Sequence, residues 1–218
     1  MAKDDEACAA VIRLLSHDLR NPLTAVQLNA QLIERAAAGA GREQEQRWAA
    51  LITGAARRMD TMIQQLVEAE RLRMGQVKLA PLPIVLAEML HEVQALSSAA
   101  CAPHPIRLAL PETPVTISVD RPRLGRALTN LLRLTAQVAD DTAEVTVQAA
   151  AREGGVACTI HAPRPAALGA RPADADLGIA FHTARILIEC HGGSLRALTD
   201  APEPVGFALV LPATSART

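Results

Sequence analysis

The sequence predicts a helical hairpin that completes a dimeric four-helix bundle with a second copy, followed by an α/β sandwich with helices on one face of a mixed sheet. Apolar residues recur every three or four positions as far as about residue 73, the signature of α-helices. Beyond residue 105, short runs rich in Val, Ile and Leu alternate with two further helical patterns. The expected division is a hairpin over 1–76 and a sandwich over 77–218.

The first helix carries Ile12, Leu15, Leu19, Leu23, Val26, Ala30 and Ile33 as one stripe. "AAAGAGRE", Ala36 to Glu43, breaks the pattern with two glycines and reads as a helix–helix loop. The second helix places Trp48, Ile52, Ala55, Met59, Met62 and Leu66 in a near-heptad. Two such helices cannot bury both seams alone, so a homodimer is expected. "KLAPLPIVL", Lys78 to Leu86, with two prolines, reads as an interdomain linker leading into a helix around Leu86 to Leu96. Strands are expected at 106–110, 115–119, 144–149, 156–160, 194–198 and 207–211. Helices are expected over Arg123 to Val138 and Leu177 to Cys190. "APRPAALGARPADAD", Ala162 to Asp176, is biased in composition and reads as a mobile loop.

Half of the 218 residues are hydrophobic, yet the aromatics are only Trp48, Phe181 and Phe207, so the core must be aliphatic. Stacking on bases is therefore not available, and a net charge of −1 supplies no polyanion-attracting field. Nucleic acid is not an expected partner. The four cysteines lie far apart, which suggests neither a zinc site nor a disulfide framework. No apolar stretch is long enough to span a bilayer, and the acidic start MAKDDEA is unlike a signal peptide. A cytoplasmic location is expected, with no membrane contact within this chain and no metal site.

"LLSHDLRNPLTAVQL", Leu14 to Leu28, puts Pro22 inside an amphipathic helix, where proline costs about 3 kcal/mol. At about 100° per residue His17 falls roughly opposite the apolar stripe, with Asn21, Thr24 and Leu28 on its own side. Pro22 removes the N–H that would bond the Asp18 carbonyl, so a bend is expected beside His17. A neutral imidazole is a nucleophile at ordinary pH. The neighbouring Asp18 is suited to accept the proton from one ring nitrogen while the other attacks phosphorus. Asn21 is placed to orient a water or a phosphoryl oxygen. The plainer alternative is a surface histidine beside a proline that only kinks the helix.

"SHDLRNPLTAVQL" resembles the phosphoacceptor box of two-component sensor histidine kinases. "GAARRMDTMIQQLVEAERLRMGQVKL" (Gly54 to Leu79) is similar to the second helix of their dimerisation domain. "VDRPRLGRALTNLL" (Val119 to Leu132) resembles the entry to their N box. "LGIAFHTARILIECHGGSLRAL" (Leu177 to Leu198) resembles the helix and His-Gly-Gly turn after their last glycine box, and "VGFALVLP" their closing strand. The resemblance implies a Bergerat-type sandwich for the second half. It implies that His17 is phosphorylated, that Asp18 is its acid/base partner, and that Asn21 assists dephosphorylation of a partner aspartate. Asn130 would be the magnesium-holding N-box asparagine and Gly178 a remnant of the last glycine box, each a weak or vestigial nucleotide contact.

The departures matter equally. Leu134 and Gln137 stand where the family carries a second asparagine and a basic residue. Ala162 stands at the place of the adenine-binding aspartate and Arg164 at that of a glycine. The last box reads "DADLG", so Asp174 and Asp176 replace glycines ahead of Gly178. A displaced set of boxes, with a working lid inside 162–176, is the alternative placement. These losses imply a phosphotransfer protein on a degenerate kinase core. It would exchange phosphoryl groups between His17 and response-regulator receiver aspartates, with Thr24 and Leu28 as docking contacts and no cofactor. The alternatives are an autophosphorylating kinase core using Mg-ATP, and a non-catalytic pseudokinase that regulates a true kinase.

Overall fold

The structure, a computed structural model, describes residues 20–36, 42–140, 143–163, 178–198 and 205–212. The chain divides into two compact units, Met1–Glu68 with Ala175–Ile179, and Ala69–Asp174 with Ala180–Thr218.

Helix α1 (Arg20–Ala36) is followed by the long helix α2 (Arg42–Arg73). Along α2 the expected stripe is covered, with Ala55 and Leu66 buried and Trp48, Ile52, Met59 and Met62 half-buried. In α1 the inward face is rotated from the expected one. Leu23 and Ala30 are exposed, whereas Ala25, Asn29 and Leu32 join Val26 and Ile33 on the covered side. Asn29 tolerates this because its Nδ2 donates to the Ala25 carbonyl one turn back, at 2.7 Å. After α2 the chain turns in a Schellman motif, in which Gln76 N–H donates to Arg71 O and Gly75 N–H to Leu72 O, each at 2.9 Å. Gly75 takes φ +70°, open to glycine without the Cβ penalty.

The stretch 78–86, expected as a linker, is a correction. Leu82–Val85 forms strand β1, antiparallel to β3 (Thr116–Val119), with Leu82 opposite Val119 and Val85 opposite Thr116. Pro83 is tolerated because β1 is an edge strand of this two-stranded sheet. Helix α3 (Leu86–Cys101) follows directly and runs past the expected end at Leu96, because Ser97 and Cys101 also turn into the core.

Strands β2 (Ile106–Ala109), β4 (Val145–Arg152), β5 (Gly155–Ala162), β6 (Ser194–Leu198) and β7 (Val205–Pro212) make a sheet of order β2-β4-β5-β7-β6. β2 and β4 are parallel and the other pairs antiparallel, so the sheet is mixed as expected. Register places Ile160 opposite Phe207 and Cys158 opposite Leu209, aligning buried residues on one face. Helix α4 (Arg121–Ala136) packs on β4, β5 and β7 through its own buried Leu124, Ala127, Leu128 and Leu131. Each such leucine contributes roughly 1.5–3 kcal/mol by leaving water. Helix α5 (Gly178–Cys190) sets Phe181 against Phe207, with ring centroids 5.5 Å apart. Among the described residues no helix is long and apolar enough to cross a membrane.

Candidate functional site

His17 and Asp18 lie outside the described residues, as do the Asn21 side chain and the bend expected at Pro22. The backbone of Asn21 belongs to α1, one turn before Thr24 and two before Leu28. Thr24 and Leu28 are both exposed, Leu28 by 55%, and one helical turn apart they share a face.

On the sandwich side, Asn130 sits on α4 with only 7% of its surface exposed. It is a carboxamide among Leu128, Leu131 and Leu132, which are all buried. Leu134 is half-buried, and Gln137 is exposed at the helix end. Ala162 closes β5 as a fully buried methyl. The next residue, Pro163, accepts a hydrogen bond from Asp140 N–H at 3.2 Å, which ties the exit of β5 to the loop beyond α4. Gly178 opens α5 with φ +79°, a left-handed value that strains any other residue. Arg164, Asp174 and Asp176, and the loop expected over most of 162–176, lie outside the described residues.

Other chemistry is weak. Among the described residues, no group of three His, Cys, Asp or Glu side chains is placed to hold a metal ion. Cys101, Cys158 and Cys190 are free thiols, and burial pushes Cys158 up to about 12. A thiol that resists ionisation is no nucleophile.

The sequence reading missed a buried polar junction. Asp120 caps α4, its carboxylate accepting Arg123 N–H at 3.3 Å, Ala80 N–H at 3.1 Å, and the Arg123 guanidinium. Its own N–H donates to His191 Nε2 at 3.0 Å, and His191 Nδ1 lies 2.6 Å from the Leu187 carbonyl. One nitrogen accepts and the other must donate, which fixes the neutral Nδ1–H tautomer. Burial works against the Asp120 carboxylate, but the Ala80 and Arg123 hydrogen bonds outweigh it and hold the group below its ordinary value. The signal was available: an aspartate directly before "RPR" is a helix start with proline in the first turn.

A second carboxylate sits at the end of α2. Glu70 Oε2 accepts Arg73 Nε at 2.7 Å, and Oε1 lies 3.2 Å from His182 Nε2. Burial would raise its pKa, yet the hydrogen bonds from Arg73 and His182 prevail and lower it. A depressed folded-state pKa gives stability that is present above the ordinary carboxylate value and lost as pH falls through the lower, folded one. Urea midpoints should therefore drop on acidification below about pH 4.5, and drop less in a Glu70→Gln variant. Equal acid sensitivity in both proteins would show that the contact contributes nothing.

Residues 9–75 match the His Kinase A (phospho-acceptor) domain. The chain carries a histidine-kinase phospho-acceptor domain. Its helical region followed by an α/β domain is the fold of Acinetobacter baumannii histidine kinase AdeS, with TM-score 0.70 and 14% identity, covering 91% of this chain and 98% of that one. The histidine kinase ThkA, solved in complex with response regulator protein TrrA, gives TM-score 0.68 at 17% identity, covering 94% and 61%. The sensor protein KdpD of Escherichia coli (strain K12) is 24% identical over 221 aligned residues, 95% of this chain. The chain spans only 24% of KdpD's length.

Proposed function

We propose that this core exchanges phosphoryl groups between His17 and the aspartate of a response-regulator receiver domain, as a homodimer and without consuming ATP. In the forward step an imidazole nitrogen of His17 bonds to phosphorus. The acyl-phosphate P–O bond breaks, and the aspartate leaves as a carboxylate. Asp18 takes the proton from the other ring nitrogen. Thr24 and Leu28 offer the receiver a face one and two turns from Asn21.

The observation that carries the ATP-independent reading is Ala162. Where the resemblance places the adenine-binding aspartate, a methyl group is sealed in the core and offers no acceptor. A buried polar group left without its partner costs about 1–3 kcal/mol, and each 1.4 kcal/mol is about tenfold in affinity. Asn130 alone is a poor magnesium site, since that ion needs several oxygen ligands. These residues do not make a complete Mg-ATP site. What favours the second reading, an autophosphorylating kinase, is that Asn130 and the left-handed Gly178 are both retained.

Two measurements divide the readings. Incubation with a labelled, phosphorylated receiver domain is expected to move label onto His17. Calorimetric titration with a non-hydrolysable ATP analogue is expected to give no micromolar binding, and micromolar affinity would hand the case to autophosphorylation.

Dimerisation is supported by a second apolar stripe. Ala49, Ala56, Ile63 and Val67 are exposed, roughly a quarter-turn from the buried Ala55–Leu66 line at about 100° per residue. Each helix of a four-helix bundle needs two such seams. Ile63→Asp combined with Val67→Asp is expected to halve the mass seen by sedimentation equilibrium while helicity persists. An unchanged dimer would place the interface elsewhere.

A further inference from the structure

A valley of about 500 Å³ lies between α3 and α4 and is lined only by residues of those two helices. Among its lining residues Met89 and Val93 are buried, Pro122 is exposed, and Leu96 is 71% exposed. Gly125 belongs to the same lining and stands in mid-helix. The backbone there is not left-handed, and a Cβ would meet nothing closer than the side-chain tips of Met89 and Val93 at 3.9 Å. Neither conformation nor packing demands glycine at this position, and glycine weakens a helix interior relative to alanine. Its effect is to keep the valley open.

Every polar side chain in the lining already has a partner. Arg121 and Glu92 form an ion pair at 2.6 Å, and Arg126 is engaged as well. The Thr129 hydroxyl takes a hydrogen bond from Ser97 Oγ at 3.4 Å. No charge is left over to recruit a counter-charge of either sign. A charged ligand would have to break one of these contacts or leave its own charge without a partner, and an ion that gives up water unpaired does so at high cost. An uncharged ligand meets neither obstacle. Water over Gly125 finds few partners, so an apolar group gains by displacing it.

We propose that this valley binds an uncharged, largely apolar small molecule, a ring or short alkyl chain lying over Gly125 and against Leu96. The site rests on no part of the phosphotransfer reading. Its volume is within the range of small-molecule pockets.

The test is methyl NMR of the whole chain with 4-phenyl-2-butanone as probe. Saturable shifts are expected at the Met89, Val93 and Leu96 methyls. The anion 4-phenylbutyrate and the cation 4-phenylbutylamine carry the same ring on chains of similar length, and each should bind at least about tenfold more weakly. Gly125→Leu, which fills the valley, should abolish the shifts. Leu96→Asp, which puts a charge on its wall, should weaken the ketone at least about fivefold. The absence of saturable shifts, shifts spread across the protein, or either ion binding as tightly as the ketone would overturn the proposal. So would an undiminished response in Gly125→Leu. Valley shifts that follow protein concentration without any probe would also overturn it, since the occupant would then be another copy of the chain. Should Gly125→Leu fail to fold, Leu96→Asp decides, read at Met89 and Val93, because the Leu96 side chain lies mostly in water.

Discussion

Replacing His17 with alanine is expected to reduce phosphoryl uptake from a phosphorylated receiver domain by at least about a thousandfold, because the other nucleophilic groups of the acceptor segment, the Ser16 and Thr24 hydroxyls, are weak without an activating base. Asp18→Asn should retain the nucleophile and lose the proton acceptor, a drop of about a hundredfold or more, the usual scale of general-base contributions. Leu28→Glu should act differently. It raises the receiver concentration needed for half-maximal transfer and leaves the saturated rate nearly unchanged, since Leu28 touches the partner and not the reacting atoms. Rapid-quench measurement of label on the chain separates these outcomes. Label that still accumulates on the His17→Ala protein at the normal rate would end the proposal, and with it the role of Asp18.

His191→Ala is expected to cost about 3 kcal/mol of stability. The buried Asp120 N–H loses its acceptor, at about 1–3 kcal/mol for a group left unsatisfied, the Leu187 carbonyl keeps only the 3.3 Å bond from the backbone N–H of residue 191, and the packing of the ring is lost. Asp120→Ala should cost a comparable amount, because removing the cap of α4, worth about 1 kcal/mol, also takes the acceptor from the Ala80 N–H and one partner from the Arg123 guanidinium. The double variant should cost about the sum, because His191 bonds the backbone N–H of residue 120, which alanine keeps, and the two substitutions remove different bonds. Urea unfolding followed by far-UV circular dichroism measures all three. A double cost far below the sum would mean that the two residues act as one unit.

The sheet was legible where strands alternate and face one core. The runs at 106–110, 144–149, 156–160, 194–198 and 207–211 all became strands, within a few residues of their expected ends. β1 escaped because its two flanking and internal prolines argue against a strand, and only its pairing with β3, over thirty positions away in sequence, makes one. α4 starts two residues before its expected beginning because Asp120 caps a first turn that lies ahead of the apolar pattern. In α1 the covered side departs from the hydrophobic stripe because Asn29 satisfies its amide within its own helix. At the acceptor segment the phospho-acceptor domain was legible from residue types in contiguous order, which periodicity alone could never supply. His191 is scaffold, bonded through both ring nitrogens. What its nitrogens bond to depends on Asp120, 71 positions earlier in the chain, and no local pattern encodes that.

The scarcity of aromatic rings has a practical consequence. Trp48, the sole indole, lies on α2, whereas both phenylalanines stack together in the α/β half. Intrinsic fluorescence excited at long wavelength therefore reports on one half alone, and the melting of the two halves can be followed separately without attaching a dye.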